Sequence, residues 1–416
     1  MGSPNLLVIF SDDHRADHLG ITGEVPFLQT PVLDQLAADG LRFDHSYVTT
    51  ALCSPSRATL LTGQYASRHG VQNNLSAWIP GTPSFFDSLA AAGYRCAYIG
   101  KWHMPGDLPD LPGVERFITF TIEEGQGVYH DCPLIIDGVD TPRPGTYVTT
   151  DLTDLALEWI AEDPGRPYCL VVAHKAVHHE FEPPDDLLGA YDDVEIDLPD
   201  EAFTYQTLLD RNVWEGTAGR LQTSYRRYCE TLLGLDREIG RLLPSTSDNT
   251  VVIYTSDNGY SWGEHVLTGK RWAYDDNIKV PLIVRWPDGI ASPGSVVHEP
   301  VLNIDIAPTL LDIAGVPIPG SMQGASFAPL LRGDNVEWRD EIFYEYFADF
   351  PYQVPPSQAV RTDRWLYVEY ERGLPPELYN TAADPRQLVD LIDDPAHSQV
   401  RQELSQQLAD LRREFT

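Results

Sequence analysis

The chain has 416 residues, of which 62 are acidic and 29 are basic, so its formal net charge is −33. This charge argues against nucleic acid and anionic membranes as partners, because both are bound by basic surfaces. Hydrophobic residues make up 42% of the chain, as in ordinary globular proteins, and no apolar run approaches the ~20 residues that span a bilayer.

Apolar runs alternate with helical stretches along the first 330 residues. The first run, NLLVIFS, indicates a buried strand. It is too short for a signal peptide and no basic segment precedes it, so we expect a cytoplasmic protein unless a leader has been removed. The predicted strands are 5–11, 94–100, 167–173, 250–256 and 280–287, and the predicted helices are 30–40, 83–93, 149–163 and 223–243. This alternation predicts an α/β domain with a large mixed, mainly parallel sheet sandwiched by helices.

The composition changes after about residue 330. Short alternating aromatic segments such as EIFYEYF and RWLYVEY precede a helical stretch, SQVRQELSQQLADLRREF. This pattern predicts a small antiparallel sheet with one helix packed on it. We therefore expect a main α/β domain over residues 1–330 and a smaller C-terminal α+β subdomain over residues 331–416. The acidic stretch 180–220 is expected to be a surface insertion.

The five cysteines are scattered, odd in number and without a C-x-x-C pair, which argues against a disulfide scaffold and a zinc site. Cys96, Cys132, Cys169 and Cys229 are expected to be small core residues. Cys53 differs from them because it stands at the start of a predicted helix.

Polar side chains follow four of the predicted strands. In chain order they are Asp12, Asp13 and His14; Lys101 and His103; His174, Lys175, His178 and His179; and Asp257 and Asn258. Because ligands bind at the carboxyl ends of parallel strands, we expect these groups to meet at one edge of the sheet. The acidic residues and the Asn are hard oxygen donors that suit Ca²⁺ or Mg²⁺, although either pair alone would indicate a turn or a helix cap.

Cys53 has Pro55 in the first turn of its predicted helix and Arg57 one turn further along the same face. A helix N-terminus beside a guanidinium favours a tetrahedral oxyanion such as phosphate or sulfate. The same surroundings would stabilise a thiolate, so a cysteine nucleophile is an open alternative on these grounds.

The stretch CSPSRATLLTG resembles the C-x-P-S-R…L-T-G signature of the formylglycine-dependent sulfatases, type I members of the alkaline-phosphatase-like superfamily. Further segments are similar to that family in the same order: FSDDHRADHLG, GKWH, HKAVHHEFEPP, SDNG, GKRWAYDDNIKVPLIVRWP and the C-terminal ELYNTAADPRQLVDL. The resemblance therefore covers essentially the whole chain. It implies that a formylglycine-generating maturation enzyme oxidises Cys53 to an aldehyde, 3-oxoalanine, which is held as its hydrate.

The resemblance also implies a role for each matching residue. It implies a divalent metal, calcium with magnesium as the alternative, held by Asp12, Asp13, Asp257, Asn258 and the modified Cys53. It further implies that Arg57 and Lys101 hold the hydrate and that Lys270 binds the sulfate. His103 is implied to act as a base.

The residue that protonates the leaving oxygen is less directly matched. The family pattern is His, any residue, Pro and an aromatic residue, whereas this chain has Glu180 where the proline is usual. The match favours His178 as the acid, with His174 or His179 as alternatives.

By this resemblance the chain is expected to hydrolyse the sulfate ester of a small aryl, alkyl or sugar alcohol. A phosphodiesterase or phosphonate monoester hydrolase on the same scaffold is the nearest alternative, because phosphoryl and sulfuryl groups share a tetrahedral shape. A non-catalytic binding homologue and a Cys–His thiol hydrolase are the other two. The loops 104–148 and 180–222 are expected to set specificity.

Overall fold

The computed structural model describes residues 2–162, 165–199, 218–371 and 373–416. Within them the strands are β1 (Asn5–Ser11), β2 (Leu41–Phe43), β3 (Ser46–Tyr47), β4 (Arg95–Gly100), β5 (Val114–Thr119), β6 (Leu134–Ile136), β7 (Val139–Thr141), β8 (Tyr168–Ala173), β9 (Thr250–Ser256), β10 (Ser261–Trp262), β11 (Thr268–Gly269), β12 (Leu282–Arg285), β13 (Val296–Val297), β14 (Val301–Leu302), β15 (Glu341–Tyr346), β16 (Ser357–Thr362), β17 (Trp365–Tyr370) and β18 (Glu377–Asn380).

The α-helices of the same residues connect these strands. They are α1 (Pro31–Asp39), α2 (Cys53–Thr62), α3 (Ala66–His69), α4 (Phe85–Ala91), α5 (Val148–Ala161), α6 (Ala218–Leu242), α7 (Asp275–Ile278), α8 (Ile306–Ile313), α9 (Ala328–Leu331) and α10 (Ser398–Phe415). Pro31 opens α1, a position where its missing N–H costs no helical hydrogen bond.

Ten strands form one sheet in the order β13-β2-β12-β9-β1-β8-β4-β5-β6-β7. The five central strands, from β9 to β5, run parallel to one another. The strands β12 and β6 pair antiparallel with the two ends of this parallel block. The predicted mixed, mainly parallel sheet is confirmed.

Both faces of the sheet are covered by helices, which explains why β1, β8 and β9 are buried along almost their whole length. On β1, Leu7 and Ile9 lie in a core with α1, α5 and α6. Its alternate residues Leu6, Val8 and Phe10 lie in a second core with α2, α4, α8 and α9. The alternation follows from the two-residue period of a strand, and it confirms a sheet sandwiched by helices.

The strands β15 to β18 form a separate antiparallel sheet in sequence order, and α10 packs on it through Leu404, Leu408 and Leu411. This confirms the small C-terminal sheet with a helix. Its core also contains Leu52, the residue before α2, so the small sheet supports the segment that leads into Cys53. The domain boundary after residue 330 stays a prediction.

The acidic stretch 180–220 is only partly described, because residues 200–217 lie outside the described ranges. Its described part is irregular but not purely superficial, since Tyr191, Ile196 and Leu198 are buried. Among the described residues, no helix combines the length and the apolar character that a membrane span requires.

Candidate active site

The carboxyl ends of β9, β1, β8 and β4 lie side by side, so the polar residues that follow them meet at one edge of the sheet. Gly100 ends β4 with a φ of 123°, and a Cβ on it would lie 1.9 Å from the carbonyl oxygen of Ala173 on β8. Only glycine allows this approach, and the N–H of Lys101 donates to the same oxygen at 2.8 Å. This close approach of β4 to β8 positions Lys101 near the carboxyl end of β1.

Asp12, Asp13 and Asp257 each offer a carboxylate oxygen, and the three oxygens lie within 4.8 Å of one another. All three residues are buried. Burial and the charge of Asp12 raise the pKa of Asp257 to about 6, and burial also raises the pKa of Asp13. Asn258 donates from Nδ2 to Asp13 Oδ1 at 2.6 Å, which leaves Asn258 Oδ1 and Asp13 Oδ2 buried without a hydrogen-bond partner in the described chain. Clustered negative charge and two unpartnered hard oxygens fit a divalent cation.

Cys53 begins α2, as predicted, and its thiol lies against this carboxylate cluster. Its Sγ is 3.6 Å from Asp12 Oδ1, 3.9 Å from Lys101 Nζ and 2.7 Å from Lys270 Nζ. Burial, followed by the charge of Asp12, raises the pKa of the thiol to about 12. Loss of water and the neighbouring carboxylate therefore oppose the stabilisation of a thiolate that was expected at this helix start.

Arg57 lies one turn after Cys53, but its guanidinium is already engaged by carboxylates. Its Nη2 is 2.7 Å from Asp257 Oδ2 and 3.2 Å from Asp12 Oδ2, and its Nη1 donates to the carbonyl oxygen of Lys101 at 2.8 Å. Arg57 therefore neutralises the carboxylate cluster and braces the residue after β4.

The ammonium groups of Lys101 and Lys270 approach the thiol from two different elements. Lys101 follows β4 and pairs with Asp12, whereas Lys270 follows β11 and pairs with Asp13. Two cations beside a buried Sγ make this the part of the edge best suited to an anionic group.

His103 is held by a glutamine that sequence reasoning missed. Gln126 Oε1 accepts from Lys101 Nζ at 2.5 Å, and its Nε2 lies 2.8 Å from His103 Nε2. Because a lysine can only donate, the amide orientation is settled and His103 Nε2 must be the acceptor. Burial and Lys101 hold the pKa of His103 well below its usual range, so the ring is neutral. Gln126 lies 25 residues after Lys101 in a loop that carries no motif.

His178 is the histidine of the third cluster that faces the carboxylates. Its Nε2 is 3.9 Å from Asp13 Oδ2, and its Nδ1 lies 2.5 Å from the carbonyl oxygen of His179. Since Nδ1 must carry a proton to meet a carbonyl, Nε2 is the nitrogen free to exchange one with a ligand. His174 is fully buried, and neither ring nitrogen has a hydrogen-bond partner among the described residues. The structure therefore disfavours His174 as an alternative acid.

A cavity of about 1230 Å³ opens over this edge of the sheet. Asp13, His103, His178 and Lys270 line its inner part. Trp102 also lines it, whereas Trp262 is buried in an aromatic cluster away from it. The other four cysteines are buried away from the cavity, as expected of core residues.

Comparison with known families agrees with this geometry. The sulfatase family model matches residues 4–316, and the model for the C-terminal part of N-sulphoglucosamine sulphohydrolase matches residues 263–414. The fold and the site define a hydrolase of the alkaline-phosphatase-like superfamily. Within it, the chain belongs to the sulfatase family and is a sulfuric ester hydrolase.

Three similar proteins illustrate the range of relatives. An N-acetylglucosamine-6-O-sulfatase of Bacteroides thetaiotaomicron is 28% identical, over 99% of this chain and 87% of the relative. A solved structure of a protein with its substrate D-glucosamine-2-N,6-O-disulfate is 27% identical, with a TM-score of 0.92 over 99% of this chain and 98% of that one. A phosphonate monoester hydrolase of Silicibacter pomeroyi is 25% identical, with a TM-score of 0.82 over 99% of this chain and 96% of that one.

Proposed function

We propose that this sulfatase acts through a formylglycine made from Cys53 by a separate maturation enzyme, with calcium as its metal. The observation that carries the proposal is the place of Cys53 Sγ, between Asp12 at 3.6 Å and Lys270 at 2.7 Å. The substrate is a small sulfate ester, as the similarity to a protein that binds a sulfated glucosamine suggests. A cytoplasmic location stays a prediction.

The metal would be held by the four oxygen donors that cluster after β1 and β9: Asp12, Asp13, Asp257 and Asn258. A bound divalent cation supplies positive charge opposite the oxygens of the sulfuryl group. Calcium is favoured over magnesium because the donors form a buried cluster made of protein oxygens, whereas magnesium keeps several waters.

A hydrated formylglycine would supply two hydroxyl groups on one carbon. One would attack sulfur and displace the leaving alcohol, and loss of the proton from the other would let the C–O bond to sulfate break and the aldehyde re-form. A plain cysteine or serine would have no second hydroxyl and would be trapped as an ester. The thiol that the aldehyde replaces is already enclosed by the carboxylates and the two lysines, so the reacting group needs no large movement to reach them.

The side chains around Cys53 divide the remaining work. Lys101 and Lys270 hold the anionic sulfuryl group, and Arg57 neutralises part of the negative charge of the carboxylates. His103 is neutral and would be the base that takes a proton from the second hydroxyl of the hydrate. His178 faces the leaving oxygen through Nε2, since its Nδ1 is committed to a backbone carbonyl. Burial and the charge of Lys101 hold its pKa well below the usual range, so it delivers a proton only after the negative charge of the bound sulfate ester has favoured its imidazolium form.

The proposal is tested with protein matured in the presence of an aldehyde-forming enzyme. Cys53→Ala should abolish hydrolysis of 4-nitrophenyl sulfate and of N-acetylglucosamine-6-sulfate, while the matched variant Cys132→Ala, at another buried cysteine, should keep it. Iodoacetamide should leave the matured enzyme active, because no thiol takes part. Activity that survives Cys53→Ala would refute the role of Cys53, and inactivation by the alkylating agent would favour a thiol hydrolase.

A phosphonate monoester hydrolase or phosphodiesterase is the second candidate, favoured by the similarity to the Silicibacter pomeroyi enzyme. Comparing kcat/KM for an aryl sulfate and an aryl phosphonate monoester decides between them. The proposal expects the sulfate to be preferred, and a preference for the phosphonate would reverse the assignment. A non-catalytic binding homologue would bind both without turnover.

A further inference from the structure

The mouth of the active-site cavity carries a concentration of exposed apolar side chains. Phe350 is 80% exposed and Leu75 is 60% exposed, and both line the cavity. Leu108, Tyr352 and Leu374 line it as well and are also exposed. These five residues, the apolar rim, come from the loops after α3 and β4, between β15 and β16, and between β17 and β18. Apolar surface gathered around a catalytic opening indicates contact with a ligand.

The outer cavity wall is otherwise acidic. Beyond the residues that surround Cys53, it carries four acidic side chains against one guanidinium, that of Arg271: Asp107, Glu124, Asp349 and Glu377. Burial raises the pKa of Glu377, so the excess negative charge is that of the exposed Asp107 and Glu124. His179 also lines the cavity, but burial lowers its pKa, so it adds no charge at neutral pH. Within the described chain, the outer wall therefore has an excess of negative charge.

The guanidinium of Arg271 is not free to receive an anion. Its Nε and Nη2 donate to Asp349 Oδ2 at 3.0 and 2.6 Å, and its central carbon lies 3.5 Å over the ring of Tyr352. Both members of the ion pair are buried. A second anionic group on a substrate would meet Asp107 and Glu124, which are exposed at the opening, without an unpaired cation among the described residues that line the cavity to balance it.

We propose that this cleft selects a monosulfated substrate whose leaving alcohol presents an uncharged ring to the apolar rim and bears no second anionic group. Neutral sugar sulfates fit this description, because one face of a pyranose ring is apolar. The inference rests on the proposed function and narrows its substrate class. It sets this chain apart from the similar protein that binds a glucosamine carrying two sulfates.

Two substrates that differ at the second sulfate test the proposal: N-acetylglucosamine-6-sulfate and D-glucosamine-2-N,6-O-disulfate. At low ionic strength we expect kcat/KM to be about ten-fold lower for the disulfate than for the monosulfate. The reason is that the carboxylates of Asp107 and Glu124 repel the second sulfate at short distance. Added salt should narrow the gap, since exposed charges are screened.

Charge reversal separates the cleft from the general acidity of the chain. The double variant Asp107→Lys/Glu124→Lys should raise kcat/KM for the disulfate more than for the monosulfate, so that the ratio of the two values rises. The control Asp140→Lys/Asp288→Lys changes net charge equally at exposed positions outside the cavity and should not alter the ratio.

The rim is tested by Phe350→Ala, which should lower kcat/KM for N-acetylglucosamine-6-sulfate more than for ethyl sulfate, which has no ring. Equal kcat/KM values on the two sugar sulfates at low salt, or a gap that the cleft variant does not change, would overturn the proposal. Absence of turnover on every sulfate would instead refute the proposed function.

Discussion

Replacing Tyr129 with Phe removes one hydroxyl from the wall that supports His178. Tyr129 Oη donates to the carbonyl oxygen of His178 at 2.6 Å, and burial raises the pKa of this phenol well above its usual value, so it stays a donor. Lys175 Nζ lies 4.9 Å over the Tyr129 ring and donates to the carbonyl oxygen of His179 at 3.3 Å. Two consecutive carbonyls are thus held from one side, which fixes the direction of the His178 ring.

The magnitude follows from one lost hydrogen bond at a buried carbonyl. A net hydrogen bond contributes about 1 kcal/mol, and an acceptor left unpaired costs about 1–3 kcal/mol. If the loss of this hydrogen bond makes the productive orientation of the His178 ring less favourable by about 1.4 kcal/mol, a step that needs its proton becomes about ten-fold slower. An alkoxide leaving group needs that proton, whereas 4-nitrophenoxide departs largely without it.

The assay is therefore a ratio of kcat/KM values for N-acetylglucosamine-6-sulfate and 4-nitrophenyl sulfate. Tyr129→Phe should lower the first about ten-fold and the second less than about three-fold. Tyr147→Phe is the matched control, because Tyr147 stacks on Tyr129 and donates to the carbonyl oxygen of Glu182 at 2.9 Å. An equal loss on both substrates, or the same change of ratio in the control, would refute the positioning role.

Three further predictions concern the metal, a buried acid and a glycine. Chelation with EDTA should abolish activity and lower the melting temperature, and calcium should restore both, because a ligand that binds only the folded state stabilises it; an unchanged melting temperature would contradict the metal site. Burial raises the pKa of Glu345 from 4.5 to about 7, so the wild type should lose up to about 3 kcal/mol of its free energy of unfolding as pH rises from 4.5 to 7. Glu345→Gln should not show this loss. If urea titrations gave the wild type and the variant the same pH dependence across that window, this prediction would be contradicted. Gly100→Ala should lower the free energy of unfolding by more than about 3 kcal/mol, since its Cβ would lie 1.9 Å from Ala173 O. Gly145 has a φ of 75° and nothing within 4 Å of a Cβ, so Gly145→Ala should cost only about 1 kcal/mol in the same urea titration. Equal losses in the two variants would refute the steric argument.

The architecture was predictable because it depends on local patterns. An uninterrupted apolar run such as LLVIF at 6–10 indicates a strand covered on both faces, and β1 has that environment. The polar residues after β1 and β9 could be placed together because parallel strands end at the same edge. For the same reason Asp12 and Asp257 were expected to be neighbours, although 245 positions separate them in the chain.

The parts that sequence reasoning missed depend on contacts between loops. Gln126 meets His103 only because a loop without a motif folds over β4, and no periodicity marks it. The pairing of Arg271 with Asp349 joins two segments 78 residues apart. The high pKa of Cys53 arises from complete burial beside a carboxylate, which a helix start alone does not reveal.

The central claim is that Cys53 is converted to an aldehyde, and the mass of the peptide that contains it tests this most directly. The protein is made with a maturation enzyme, digested, and the peptide spanning Cys53 is weighed and treated with a hydrazide. The account predicts a carbonyl oxygen in place of the thiol and a hydrazone adduct, in proportion to sulfatase activity across preparations. A free thiol at Cys53 in a fully active preparation would contradict it.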